Sequence, residues 1–160
     1  MRYISKIVVN LLFNSVYFLM KHFFYFLLFT FMLFTSFSCR KEKPYTIPEV
    51  SVDIYIYINN PSYISISVVG GWQYVPGGVR GILIYRKSNT EFMTYERNCT
   101  YQSSDACATV VVDKTNIIAT DTCCHSEFLL QDGSVIKAPA GLPLKAYRNT
   151  FDGSVLHIYN

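Results

Sequence analysis

The chain predicts an all-β domain, and three observations carry that prediction. Val50, Val52, Ile54, Ile56 and Ile58 alternate with Ser51, Asp53, Tyr55 and Tyr57, the period of two that turns one face of a strand toward a core. Past the leader, no window of a dozen residues keeps a helical apolar period, and there is no internal repeat. Asp132-Gly133 and Asp152-Gly153 each sit between two apolar runs, where a tight hairpin needs residues that tolerate positive φ.

Taken in order, residues 50–58 predict the first strand, and residues 63–69 and 72–75 two further short ones. Pro76-Gly77-Gly78 predicts a turn, and residues 79–86 (VRGILIYR) a β-rich run that ends in the polar turn Lys87-Ser88-Asn89-Thr90. Residues 91–95, 108–112 and 116–119 continue the pattern. The 13 tyrosines could line a carbohydrate surface, but such residues fill strands with the hydroxyl at the sheet edge, and that is how we read them. Trp72, next to Gly70-Gly71, reads as a core or turn-packing residue.

The N-terminus reads as a targeting segment outside the fold. Residues 23–34 (FFYFLLFTFMLF) are uncharged and apolar, short for a membrane span and long enough for a signal h-region. Ser36-Phe37-Ser38-Cys39 follows and resembles a bacterial lipobox, in which lipid is attached to the cysteine and the chain is cut before it. Met20-Lys21 directly precedes the apolar run and makes a conventional basic start, so residues 1–19 read as an over-extended start. The expected organisation is a signal peptide over 1–38, a lipidated Cys39 with a tether over 39–48, and one β domain over 49–160.

Removing the leader changes the charge argument. Of the 14 Lys and Arg, three (Arg2, Lys6 and Lys21) lie in it, which leaves eleven against 11 Asp and Glu. With a formal charge of zero and no basic stripe, nucleic acid is excluded as a partner class. The expected partner is a membrane, reached through the lipid on Cys39 outside the cytoplasm. Any protein or glycan partner is unspecified.

Two segments late in the chain carry a resemblance. Asn98-Cys99-Thr100-Tyr101 with Cys107, and Asp121-Thr122-Cys123-Cys124-His125-Ser126-Glu127-Phe128 running into Asp132-Gly133-Ser134-Val135 and Ala138-Pro139-Ala140-Gly141-Leu142-Pro143-Leu144, resemble the two cluster-binding boxes of a Rieske iron–sulfur domain and the Pro loop beyond them. The similarity covers roughly 79–158 and extends to Tyr147 and a last hairpin through Asp152-Gly153. It implies three stacked antiparallel sheets with two loops at one tip, and a 2Fe–2S centre held there by two cysteines and two histidines.

The ligand positions depart from the family's Cys-x-His and Cys-x-x-His. Cys99 stands at the first cysteine position, but Tyr101 at the first histidine position. In the second box, alignment without gaps puts Asp121 at the cysteine-ligand position, Cys123 at the disulfide cysteine and Cys124 at the histidine. A shift of one residue instead makes His125 a ligand and Cys124 the disulfide cysteine, with Thr122 at the remaining ligand position. Of the three histidines, His22 is in the leader and His157 in a terminal strand pattern, so at most one imidazole reaches the tip.

With Cys39 set aside for lipid, Cys99, Cys107, Cys123 and Cys124 remain. An even number in an oxidising compartment reads as two disulfides, and adjacent cysteines do not readily pair with each other. The resemblance implies Cys107 with Cys123, which leaves Cys99 with Cys124; the shifted register favours Cys99–Cys123 with Cys107–Cys124. No metal and no cofactor is expected. If a cluster is kept, its ligands here are Cys99, Cys124 and His125. A zinc site of all four thiols is disfavoured, since neighbours such as Cys123 and Cys124 rarely chelate one small ion together. Asn98-Cys99-Thr100 matches a glycosylation acceptor and reads as chance.

The expected protein is therefore a membrane-anchored, extracytoplasmic lipoprotein of the cell envelope. Its Rieske-like domain has lost its cluster ligands and serves as a disulfide-stapled structural or binding module, not an enzyme. The alternative is a 2Fe–2S electron carrier with unusual ligands, and a third reading is a membrane-held thiol–disulfide protein.

Overall fold

The computed structural model describes residues 18–27, 29 and 46–160. The chain divides into two units, Met1–Glu42 and Lys43–Asn160. In the first, residues 18–27 are helical and exposed. Among the described residues no helix is long and apolar enough to cross a membrane. Cys39, expected to carry lipid, lies outside the described residues.

The second unit is all-β. Its strands are β1 (Asp53–Tyr57), β2 (Trp72–Val75), β3 (Ile82–Arg86), β4 (Phe92–Glu96), β5 (Val110–Val112), β6 (Ile118–Asp121), β7 (Glu127–Leu129), β8 (Val135–Lys137), β9 (Arg148–Phe151) and β10 (Val155–Tyr159). They form three sheets, ordered β1-β10-β9, β2-β3-β4 and β5-β6-β7-β8, and every pairing is antiparallel. This is the architecture that the Rieske resemblance implies.

The β2-β3-β4 sheet is the middle layer, and β3 shows why. All five of its residues are buried, because both of its faces meet apolar side chains. Ile82 and Ile84 pack with Ile56, Leu156 and Ile158 of the β1-β10-β9 sheet and with Val52 just before β1. Leu83 and Tyr85 pack with Ala119, Phe128 and Leu130 on the other side. A strand covered on both faces loses the polar alternation of a half-buried one. The β1 strand keeps it: Ile56 is fully buried while Tyr55 and Tyr57 are exposed. Pairing of β1 with β10, from Asp53↔Tyr159 to Tyr57↔Val155, closes the start of the domain onto its end.

The two Asp-Gly turns fall where expected, with Gly133 between β7 and β8 and Gly153 between β9 and β10, both at positive φ. The strand expected over 63–69 is instead a 3-10 helix, Pro61–Ile66. Local chemistry explains it. The Asn60 side chain accepts from the Ser62 amide at 2.9 Å, and Pro61 stands where its missing N–H costs nothing. Several other boundaries shift by one to three residues. Val79 and Arg80, expected to lead β3, belong to the preceding turn, and Gly81 has a φ of +95°. The β6 strand begins only at Ile118 because Asn116, at a φ of +61°, is a turn residue.

Tyrosines do more than fill strands. The Tyr95 hydroxyl, fully buried, donates to the Leu130 carbonyl, and Tyr74 accepts the Val112 amide. Trp72 packs at the edge of the second cluster and donates from Nε1 to Asn116. It also borders a groove of about 740 Å³ that includes Val68, Val69 and Gln73.

Candidate functional site

Three connections converge at one end of the sheets. The first is the segment 97–109 from β4 to β5, the second the turn 122–126 from β6 to β7, and the third the Pro loop 138–147 from β8 to β9. The first is positioned by a buried carboxylate. Glu96, at the end of β4, is fully buried. It accepts from the amides of Val79 (2.7 Å), Arg80 (2.9 Å) and Asn98 (2.9 Å) and from the Tyr147 hydroxyl (2.7 Å). Four donors around one carboxylate meet the satisfaction that burial demands. Burial, with the Glu96 bond next, pushes the Tyr147 phenol above its ordinary value, so it stays a donor. Gly78 has to be glycine here: its φ is +61°, and a Cβ would collide with Glu96 Oε2 and Tyr147 Oη.

Arg80 continues the brace. Its guanidinium spans Asn98 Oδ1 and the carbonyls of Ala106 and Asp105 at 3.2, 2.7 and 2.5 Å. Asn98 itself is 1% exposed, which leaves its glycosylation triplet no access. From there the Cys99 amide reaches the Ala108 carbonyl, and Asn98 bridges Thr109.

The second loop is a tight reversal. The Asp121 amide bonds the Ser126 carbonyl, and the His125 amide bonds the Asp121 carbonyl. His125 has a φ of +59°, a left-handed conformation that ends the turn. Asp121 Oδ1 accepts both the Cys123 amide (2.6 Å) and the Cys124 amide (2.7 Å). The Pro loop closes in through Ala140, whose amide donates to Ser126 Oγ, and through Leu142, whose carbonyl takes the Thr100 hydroxyl.

The cysteines sort into two kinds. Cys107 and Cys123 are joined by a disulfide between the first and second loops, and both are exposed. The second expected bridge is not formed. Cys99 and Cys124 are free thiols with sulfurs 3.9 Å apart, where a bond needs about 2.05 Å. Each sulfur has a separate anchor: Cys99 Sγ takes the Tyr101 amide at 3.5 Å, and Cys124 Sγ lies 3.1 Å from Ser126 Oγ. Cys99 is fully buried. Burial, the larger cause, together with the Asp121 carboxylate pushes its thiol well above the ordinary range.

His125, named with these two cysteines as a ligand should a cluster be kept, does not join them. It is exposed, and the group that converges is Cys99, Asp121 and Cys124, with ligand atoms all within 4.8 Å of one another. Asp121 was the residue sequence reasoning passed over as a donor. The ungapped register had placed it at a ligand position, and that was the signal. Its Oδ2 is buried with no hydrogen-bond partner.

A 2Fe–2S centre with two thiolate and two imidazole ligands does not fit this tip. The second loop's only imidazole stands outside the converging group, and Tyr101 occupies the other histidine position, half-buried against the second core cluster. His157 lies in β10, paired with Asp53 at 2.6 Å and stacked on Tyr55. Expected result: His125→Ala leaves the melting temperature and any visible absorbance of the purified protein unchanged. Bleaching of a chromophore by that change would contradict the assignment.

Fold and tip together define a disulfide-stapled all-β domain of three antiparallel sheets. Among solved structures the chain is similar to the cyanobacterial plasma membrane Rieske protein PetC3 from Synechocystis PCC 6803. The identity is 18% and the TM-score 0.48, over 69% of this chain and 98% of that one. No protein-family model matches the chain, and no curated protein does.

Proposed function

We propose that the protein is an envelope lipoprotein whose Rieske-like domain acts as a structural or binding module. In this reading it is held at an extracytoplasmic membrane surface by lipid on Cys39 and works without catalysis and without a 2Fe–2S centre. The observation that supports it is the donor set at the tip. Two sulfurs and one carboxylate converge there and no imidazole joins them, while the Cys107–Cys123 bond between the loops holds the tip with no iron required. The groove beside Trp72, rimmed by the exposed Val68 and Val69, gives such a module an apolar surface for a partner.

The anchor is tested by Cys39→Ser. The wild-type chain should carry a lipid mass and sediment with membranes, and the variant should lose both the mass and the membrane fraction. A variant that sediments unchanged would show that the leader alone is the anchor.

A further inference from the structure

We propose that Cys99, Asp121 and Cys124 bind one divalent ion of the zinc class, coordinated by Cys99 Sγ, Cys124 Sγ and Asp121 Oδ2. The inference needs neither the lipid nor a partner and stands on the tip alone.

The sulfur spacing is the first observation. Two thiolates at about 2.3 Å from a tetrahedral ion stand about 3.8 Å apart, and the two sulfurs here are 3.9 Å apart. A disulfide would require them to close by nearly half that distance.

The carboxylate is the second and independent observation. Asp121 is fully buried, its Oδ1 is occupied by two backbone amides, and its Oδ2 has no hydrogen-bond partner. A buried, unpartnered carboxylate oxygen is costly and is rare without a reason. An ion between it and the two sulfurs supplies the missing partner.

The surroundings are those of a ligand set held in place. The Tyr101 amide and Ser126 Oγ touch the two sulfurs, Ser126 is itself fixed by the Ala140 amide, and the two amides orient the carboxylate. Such contacts fix ligand geometry around metals. Two thiolates with one carboxylate suit zinc better than copper(I), which favours sulfur alone, or magnesium and calcium, which favour oxygen. Cys124 is only partly buried, and a zinc-class ion with three protein ligands takes water as its fourth. Binding transfers no electrons: two S–H bonds break, two metal–sulfur bonds and one metal–oxygen bond form, and two protons go to solvent.

The test uses the full chain in detergent, stripped with chelator under argon without thiol reductant so that Cys107–Cys123 stays joined. Titration with Co²⁺ should give one ion per chain, thiolate-to-cobalt bands and intense visible bands of a tetrahedral site, all displaced by Zn²⁺. Asp121→Asn, which keeps an oxygen for the two amides, should weaken Co²⁺ binding at least tenfold, and Cys124→Ser should abolish the bands. Cys99→Ser should do the same, with circular dichroism confirming the fold; Cys124, nearer the surface, carries the test if that variant fails to fold. Absence of cobalt binding, bands that persist in Cys124→Ser, or undiminished affinity in Asp121→Asn would overturn the proposal. So would an intact mass four hydrogens below the reduced chain, which would mean a Cys99–Cys124 disulfide.

Discussion

Glu96→Ala should cost on the order of 3–5 kcal/mol, because it leaves several buried donors without an acceptor at about 1–3 kcal/mol each, less whatever water and relaxation recover. The side chain is fully buried, and its loss strands the amides of Val79, Arg80 and Asn98 and the Tyr147 hydroxyl. Each stranded donor carries a desolvation penalty, which makes the deletion worse than the loss of the bonds alone. The damage should spread from the turn before β3 into the first tip loop, because Asn98 is one residue from Cys99. Urea denaturation of the purified chain measures it. Glu96→Gln should lie between wild type and Glu96→Ala, since an amide oxygen replaces part of the acceptor while its NH₂ faces donors. A loss under 1 kcal/mol in Glu96→Ala would show that water reaches these groups and that the brace is not built as described.

Cys107→Ser should cost about 3 kcal/mol, the chain-entropy value for a closed loop near 15 residues, here with a sequence separation of 16. Both cysteines are exposed, so the change opens no core cavity and the effect should come from the crosslink. That makes a clean control: reduced wild type should melt with the variant, and oxidised wild type should melt higher. Unchanged thermal stability in Cys107→Ser would contradict the disulfide. The variant also frees Cys123 beside Cys124, so a new mixed disulfide at Cys99 or Cys124 should be sought by peptide mapping.

Much of this fold is written in local pattern. Alternation in residues 50–58 and the Asp-Gly pairs at 132–133 and 152–153 mark β1 and two hairpins because period and turn chemistry are short-range properties. The 3-10 helix at Pro61–Ile66 was missed although its signal was present, an Asn before a Pro; the β-branched residues around it dominated the reading. That β3 is covered on both faces is a property of the stack, invisible to a one-strand pattern. At the tip, the count of histidines already argued against a Rieske centre. Which sulfurs meet was not decidable from spacing, because two registers one residue apart exchange the roles of Cys123 and Cys124. The turn settles the geometry: Asp121 folds its carboxylate back onto the Cys123 and Cys124 amides, and His125 ends the turn exposed. Asp121 at a cysteine position reads in sequence as a lost ligand, yet in the structure its carboxylate stands beside the two sulfurs.

Iron content decides what the tip is. Full-length protein purified in detergent without reductant would be assayed for iron, acid-labile sulfide and visible absorbance, with the intact mass taken on the same sample. The expected result is no iron–sulfur chromophore, no labile sulfide, and a mass two hydrogens below the reduced chain for Cys107–Cys123 alone, apart from any lipid or zinc-class ion. Two irons and two sulfides per chain would contradict it and would make the protein an electron carrier.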